Sequence, residues 1–302
     1  MDSTDLPTID AHLHFWDLSL GKHPWLCGTE PIPFRYGDYS AIRENFLVDD
    51  FLAVSRNQNI SKAVYVEAEW DPKDPLGETA WVHALHEAAG WPNAFVGQAW
   101  FDRGDISTVL ADQAAYPLTR GIRQKPRSRP SPERSRDGPP GSMVDPNFRK
   151  GYELLASHKL HYELQTPWWH LGEAAGLARD FPETLIVLNH TGLPADRGEE
   201  AIKGWTEAME TFASQPNTAV KISGICVPGQ KWTTNLNQHV VTETIRIFGE
   251  DRCMFASNFP VDGLLATYDE IFDGFKAITG RLSRESRRKL FHDNAQRIYR
   301  PV

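Results

Sequence analysis

With 302 residues, 40% of them hydrophobic and 24% charged, the chain has the composition of a globular protein, long enough for one large α/β barrel or two small domains. Its formal charge of -8 excludes general affinity for nucleic acid, because binding a polyanion requires a basic surface. The start MDSTDLP is acidic and polar rather than basic and then apolar, and every apolar run is far too short to span a bilayer, so the expectation is a cytoplasmic protein with no membrane partner.

The first predicted strand, residues 8–11, runs into His12-Leu13-His14. Side chains two apart on an extended segment face the same way, so both imidazoles address one region, where they can hold a divalent metal or polarise a carbonyl. A long aromatic, proline-bearing stretch over 15–49 follows, then a second strand over 63–66 that ends beside Glu67 and Glu69. Helical spacing of Trp81, Leu85 and Ala88 over 78–90 is closed by Gly90, a residue suited to a helix C-terminus. Strands over 94–100 and 120–124 come next, the latter carrying Arg123, and a basic, proline-rich stretch holds Lys125, Arg127 and Arg129. A helix is predicted over 147–158, a strand over 162–165 ending in Gln165 ahead of Trp168 and Trp169, and a helix over 173–182. A strand over 185–188 leads to His190, one over 218–222 carries Lys221, a helix covers 233–249, and a last strand over 253–256 leads to Ser257, Asn258 and Asp262.

Eight apolar, β-branched strands alternating with helices close most simply into a (β/α)8 barrel, with an open doubly wound sheet as the alternative. No repeat of fixed period is present. A linker cutting the barrel would leave halves unable to bury their strands, so the long stretches at about 15–49 and 125–147 are expected to be loops of a single domain spanning 1–302. Loops that follow strands lie on the face of such a barrel where active sites sit. The three cysteines, Cys27, Cys226 and Cys253, are scattered and are expected to be reduced.

The segments IDAHLHFWD, RGIRQ, LNHTGLP, VKISGI, FASNFPVDGL and HDNAQRIY, in this order over nearly the whole chain, resemble the amidohydrolase superfamily, and within it the amidohydrolase-2 branch of sugar lactonases and pyrone-dicarboxylate lactonase-like enzymes. The resemblance implies a distorted TIM barrel and a hydrolase opening the ester of an acidic lactone. His12 and His14 match the family's first-strand pair and His190 its sixth-strand histidine. Where metal-rich relatives carry a fifth-strand histidine, this chain ends the strand in Gln165, and where binuclear relatives bridge two metals it has Arg123, which argues against a two-metal centre.

Asn258 stands where family members that activate water carry an aspartate. An amide does not titrate near neutrality, so Asn258 orients a nucleophile without deprotonating it. Asp262, Glu67 or Glu69 then serves as base, or a hydroxyl of the substrate attacks and one lactone becomes another without water, or the chain is a sugar-acid binder without chemistry. A zinc-dependent decarboxylase or an amide hydrolase is a further alternative. The resemblance implies that no cofactor is required and that the histidines polarise the carbonyl; a single zinc on His12, His14 and His190 is the alternative.

The expected catalytic set is therefore His12, His14, His190, Asn258 and Asp262. Substrate binding is expected from Arg123, through paired hydrogen bonds to a carboxylate, with Arg127, Glu67, Gln165, Trp168 and Lys221. Arg134 and Arg136 read as solvated loop charges. The partner is a small acidic lactone or related carboxylate; assembly into a homo-oligomer is compatible with the composition.

Overall fold

The computed structural model describes residues 6–134 and 138–302; Arg136 lies outside the described residues. Eight strands, β1 (Thr8–Leu13), β2 (Ile60–Val66), β3 (Ala94–Gln98), β4 (Thr119–Arg123), β5 (His161–Leu164), β6 (Ile186–Leu188), β7 (Thr218–Ile222) and β8 (Cys253–Phe255), pair in chain order. Every pairing is parallel. The circle is completed beyond β8, where the His14 N–H donates to the Phe259 carbonyl (2.8 Å) and the Asn258 N–H to the His12 carbonyl (2.8 Å). The closing contact is thus made by the segment that carries Asn258, which ties the first and last strand ends together.

Small and β-branched side chains fill the barrel: Ile9, Ala11, Val64, Val66, Val96, Val187, Ala219 and Met254 form one buried cluster. Ala295, Ile298 and Tyr299 of the C-terminal helix Asn294–Tyr299 cover its lower end. The larger outer cluster joins the opposite strand faces, among them Tyr65, Phe95, Ile122, Tyr162 and Phe255, to helices such as Gly77–Ala89, Leu171–Asp180, Glu199–Ala213 and Tyr268–Ile278. The predicted cap at Gly90 is present, with φ at 75° and its N–H donated to His86 O at 2.7 Å. The helix expected over 147–158 is instead two, Pro146–Tyr152 and Leu154–Ser157, divided at Glu153.

The 15–49 excursion is built rather than loose. Trp16 and Phe46 exchange backbone hydrogen bonds at 2.9 and 3.0 Å, and the Trp16 indole donates to Glu44 O (2.7 Å). The Trp25 indole donates to Ala68 O just beyond β2 (3.0 Å), and Phe34 stacks on Trp25 with ring centroids 5.7 Å apart and planes 10° from parallel. These contacts hang the excursion over the barrel mouth.

Candidate active site

Alternation from Ile9 and Ala11, which point into the barrel, would send His12 outward. It does not, because β1 gains a residue there: Asp10 pairs with Ala63 and Leu13 with Tyr65, three steps against two. This bulge turns His12 inward alongside His14, as bulges near active sites do. Asp10 points out and anchors the seam, accepting from the Ser257 hydroxyl (2.6 Å) and the Tyr268 hydroxyl (2.9 Å).

His12, His14 and His190 then meet. The His12 ring centroid lies 5.0 Å from that of His14 and 4.7 Å from that of His190. All three rings are buried, and burial, reinforced by the Lys221, Arg123 and Arg35 cations, holds each well below the usual histidine range, so they are neutral at pH 7. His14 Nδ1 lies 2.7 Å from Val66 O; a carbonyl only accepts, so Nδ1 carries the proton and Nε2 the lone pair. His190 Nδ1 lies 2.9 Å from Ser223 Oγ. Both ring nitrogens of His12 lack a hydrogen-bond partner among the described residues.

His190 and Asn258 occupy left-handed backbone, φ 55° and 56°, a conformation uncommon for non-glycine residues that asparagine and histidine adopt more readily than most. Asn258 donates through its amide to Asp262 Oδ1 (2.6 Å), which also accepts from the Tyr36 hydroxyl (3.0 Å). Burial raises the Asp262 carboxyl and Arg35 opposes that shift. Asp262 therefore stands behind Asn258.

The cavity above the rings encloses about 200 Å³ and is walled by His14, His190, Asn258, Arg123 and Gln165 from strand ends, with Trp25, Phe34 and Arg35 from the 15–49 excursion. A cleft of about 490 Å³ adjoins it, lined by Glu67, Trp70, Gln98 and Trp100 and sharing Trp25, Arg123 and Lys125. Arg123 is 3% exposed; its Nε donates to Glu67 Oε1, a second nitrogen to Glu67 O, and Nη1 to Gln165 Oε1 at 3.3 Å. Glu67 Oε2 in turn accepts from the Glu69 N–H (2.8 Å), and Glu69 pairs with Lys125.

Lys221 lies beneath the rings, fully buried, its ammonium 2.9 Å from Glu163 Oε2 and over the Tyr299 ring. Burial lowers the lysine to about 8, while Glu163, pushed up by burial, is drawn down to about 2 chiefly by Lys221. His161, Asn189 and the Tyr299 hydroxyl complete the partners of Glu163.

Three expected binding residues lie elsewhere, Lys221 among them, since it is fully buried on Glu163 and lines neither cavity. Arg127, whose backbone N–H donates to Gly141 O (3.0 Å), lines neither cavity, and Trp168 walls a separate surface cleft with Trp169 and Asp196. Sequence reasoning missed Arg35 and Tyr36, which sit in a stretch without periodicity, and Glu163. The last had a signal: in HYELQT, alternation about Tyr162 and Leu164 sends Glu163 into the barrel.

The donor chemistry suits a single zinc, with three neutral imidazoles of which His12 has both nitrogens unengaged. As they stand, no three histidine, cysteine or carboxylate side chains among the described residues form a metal-holding group. No helix among the described residues is long and apolar enough to cross a membrane.

Comparison with known proteins agrees with this architecture. The profile of a family described as amidohydrolase matches residues 9–300. The chain is 42% identical to the uncharacterized protein y4mH of Sinorhizobium fredii, covering 98% of this chain and 99% of that one. It is 24% identical to L-fucono-1,5-lactonase of Burkholderia multivorans, covering 96% and 95%. Among solved structures, an amidohydrolase from Burkholderia multivorans with bound zinc superposes with a TM-score of 0.81 at 22% identity, covering 98% of this chain and 99% of that one.

Proposed function

The chain belongs to the amidohydrolase family, and on that premise we propose that it is a hydrolase that opens the ester of an acidic, sugar-acid or dicarboxylate lactone. The observation that carries this is the meeting of three buried, neutral imidazoles, two of which, His14 and His190, line one cavity beside guanidinium groups while His12 packs against both. The similarity to L-fucono-1,5-lactonase supports the lactone part of the reading.

His190 donates an N–H group to the lactone carbonyl, stabilising the charge that develops on its oxygen as the nucleophile adds, and His12, packed against the rings of His14 and His190, holds them in place. His14 presents the Nε2 lone pair and takes a proton from the attacking water as its oxygen bonds to the carbonyl carbon, a task closed to Asn258, and returns that proton to the ring oxygen as the ester C–O bond breaks. Asn258, held by Asp262, orients that water. Glu67 is spent on fixing Arg123, and Glu69 faces Lys125, so neither carboxylate is the base in this scheme. A zinc ion held by His12, His14 and His190 would supply Lewis-acid polarisation of the carbonyl and a more acidic water.

A second reading follows from Asn258: the attacking hydroxyl belongs to the substrate, and the acyl group migrates from one oxygen to another. Incubating the protein with sugar-acid lactones while following proton release and product NMR separates the two, because hydrolysis liberates an acid and migration does not. Metal analysis of the purified protein and assay after chelation test the zinc. Asn258→Asp keeps a residue suited to the left-handed backbone and adds a carboxylate, so hydrolysis is expected to rise about tenfold or more. Lactones recovered unchanged, with and without added zinc, would sink the enzymatic scheme.

A further inference from the structure

Three cations line the cavity among the described residues, and they are not equally occupied. Arg123 directs nitrogens at Glu67 Oε1, Glu67 O and Gln165, and is almost fully buried. Lys125 faces Glu69. Arg35 differs. Among the described residues its nearest carboxylate, Asp262, is 3.6 Å away and already accepts from Asn258 and Tyr36, and its contact with Gly224 O is 3.5 Å. Both distances lie at or beyond the outer edge of a hydrogen bond, whereas a committed guanidinium sits at about 2.7–2.9 Å from its oxygen partners. The Arg35 side chain is 26% exposed, and its guanidinium lies 4.5 Å from the Tyr36 ring centroid, which fixes the plane of the fork.

The position of that fork is set by Gly224, whose φ is +58°. A Cβ there would stand 2.9 Å from Arg35 Nη2 and closer still to His190 Nδ1. Arg35 and His190 therefore crowd the same spot of backbone, so an anion seated on Arg35 lies beside the carbonyl-binding ring.

We propose that Arg35, rather than Arg123, is the residue that selects for a carboxylate, forming an anion subsite on the His190 side of the cavity. This deepens the acidic-lactone reading, on which the identity of the ligand rests. Arg123 then serves as a positioning residue that holds Glu67 and Gln165 in place.

Calorimetric titration with an open-chain sugar diacid and with the matching neutral polyol tests the assignment. Wild-type protein is expected to prefer the diacid. Arg35→Met should lose roughly 10–100-fold in diacid affinity, the range for charge-assisted hydrogen bonds, with polyol binding unchanged. Arg35→Lys should retain part of the preference, and Lys125→Met most of it. Near-native circular dichroism and Tm confirm that the variants fold. Arg35→Met binding the diacid like wild type, Lys125→Met carrying the loss instead, or wild type failing to distinguish diacid from polyol would each overturn the proposal. Lactone turnover measured alongside is a separate readout: Arg35-dependent diacid binding without turnover of any lactone upholds the subsite and refutes the lactonase.

Discussion

His14 owes its proposed role to one hydrogen bond. With Nδ1–H donated to the Val66 carbonyl, the lone pair on Nε2 is what the cavity side of the ring offers. Burial and then Arg123 hold this ring well below the ordinary histidine value of 6.5, and His12 and His190 are lowered too. A base with a depressed value is competent above it and is lost as protonation sets in below it. Activity is therefore expected to be flat from about pH 6.5 to 7.5 and to fall only on acidification well below that range. An acid limb centred at or above 6.5 in kcat/KM would show that a different group accepts the proton. The sequence exposed His14 through its spacing from His12, yet it could not show that Val66 O would choose the tautomer. Arg35 was less visible still: it lies in an aperiodic stretch, and what distinguishes it is the distance to Asp262, 227 positions along the chain.

At the scale of elements, the Glu163–Lys221 pair links β5 to β7 under the histidines. It sits at 0% exposure for both side chains, where a charge left without its partner cannot be hydrated. Lys221→Met is expected to destabilise the fold by about 3–5 kcal/mol in denaturant unfolding, and adding Glu163→Gln should recover part of that loss. Full additivity of the two changes would mean that the ion pair contributes no coupling. Period-two spacing placed His12 and His14 on one side of the chain, but β1 departs from the alternation of Ile9 and Ala11 at His12 because of an extra residue opposite β2. A bulge is a property of two strands in register, so β1 alone does not announce it. Similarly, apolar spacing marked the 147–158 stretch as helical without showing the break at Glu153, where the Glu153 N–H bonds both Arg149 O and Gly151 O.

The whole molecule is a ring of strands stoppered at one end and roofed at the other. The stopper is the C-terminal helix: Ile298 and Tyr299 fill the lower barrel, Lys62 Nζ donates to Pro301 O at 2.6 Å, and the Val302 N–H to Asn93 O at 2.9 Å. Removing residues 294–302 is expected to lower Tm by about 10 °C or more and to speed amide exchange in β2 and β4, because apolar barrel contacts and the Tyr299–Glu163 bond go together. Unchanged Tm and exchange would show that the barrel does not depend on the stopper.

Strand count and the positions of His12, His14, His190, Arg123 and Asn258 at strand ends were legible in the sequence, since hydrophobic periodicity records which residues are extended, whereas the sequential strand order followed only from the barrel as the simplest closure, with an open sheet as the alternative. The same chemistry of types marked Asn258 as unable to take a proton. What only the tertiary structure decided is which of these groups are already engaged: Arg123 by Glu67, Glu69 by Lys125, Asn258 by Asp262, and Arg35, among the described residues, by no hydrogen-bond or ion-pair partner closer than 3.5 Å. Those engagements join residues tens to hundreds of positions apart, and they depend on distances of a few ångströms set by barrel closure and the folding over of the 15–49 excursion, neither of which leaves a local pattern in the chain.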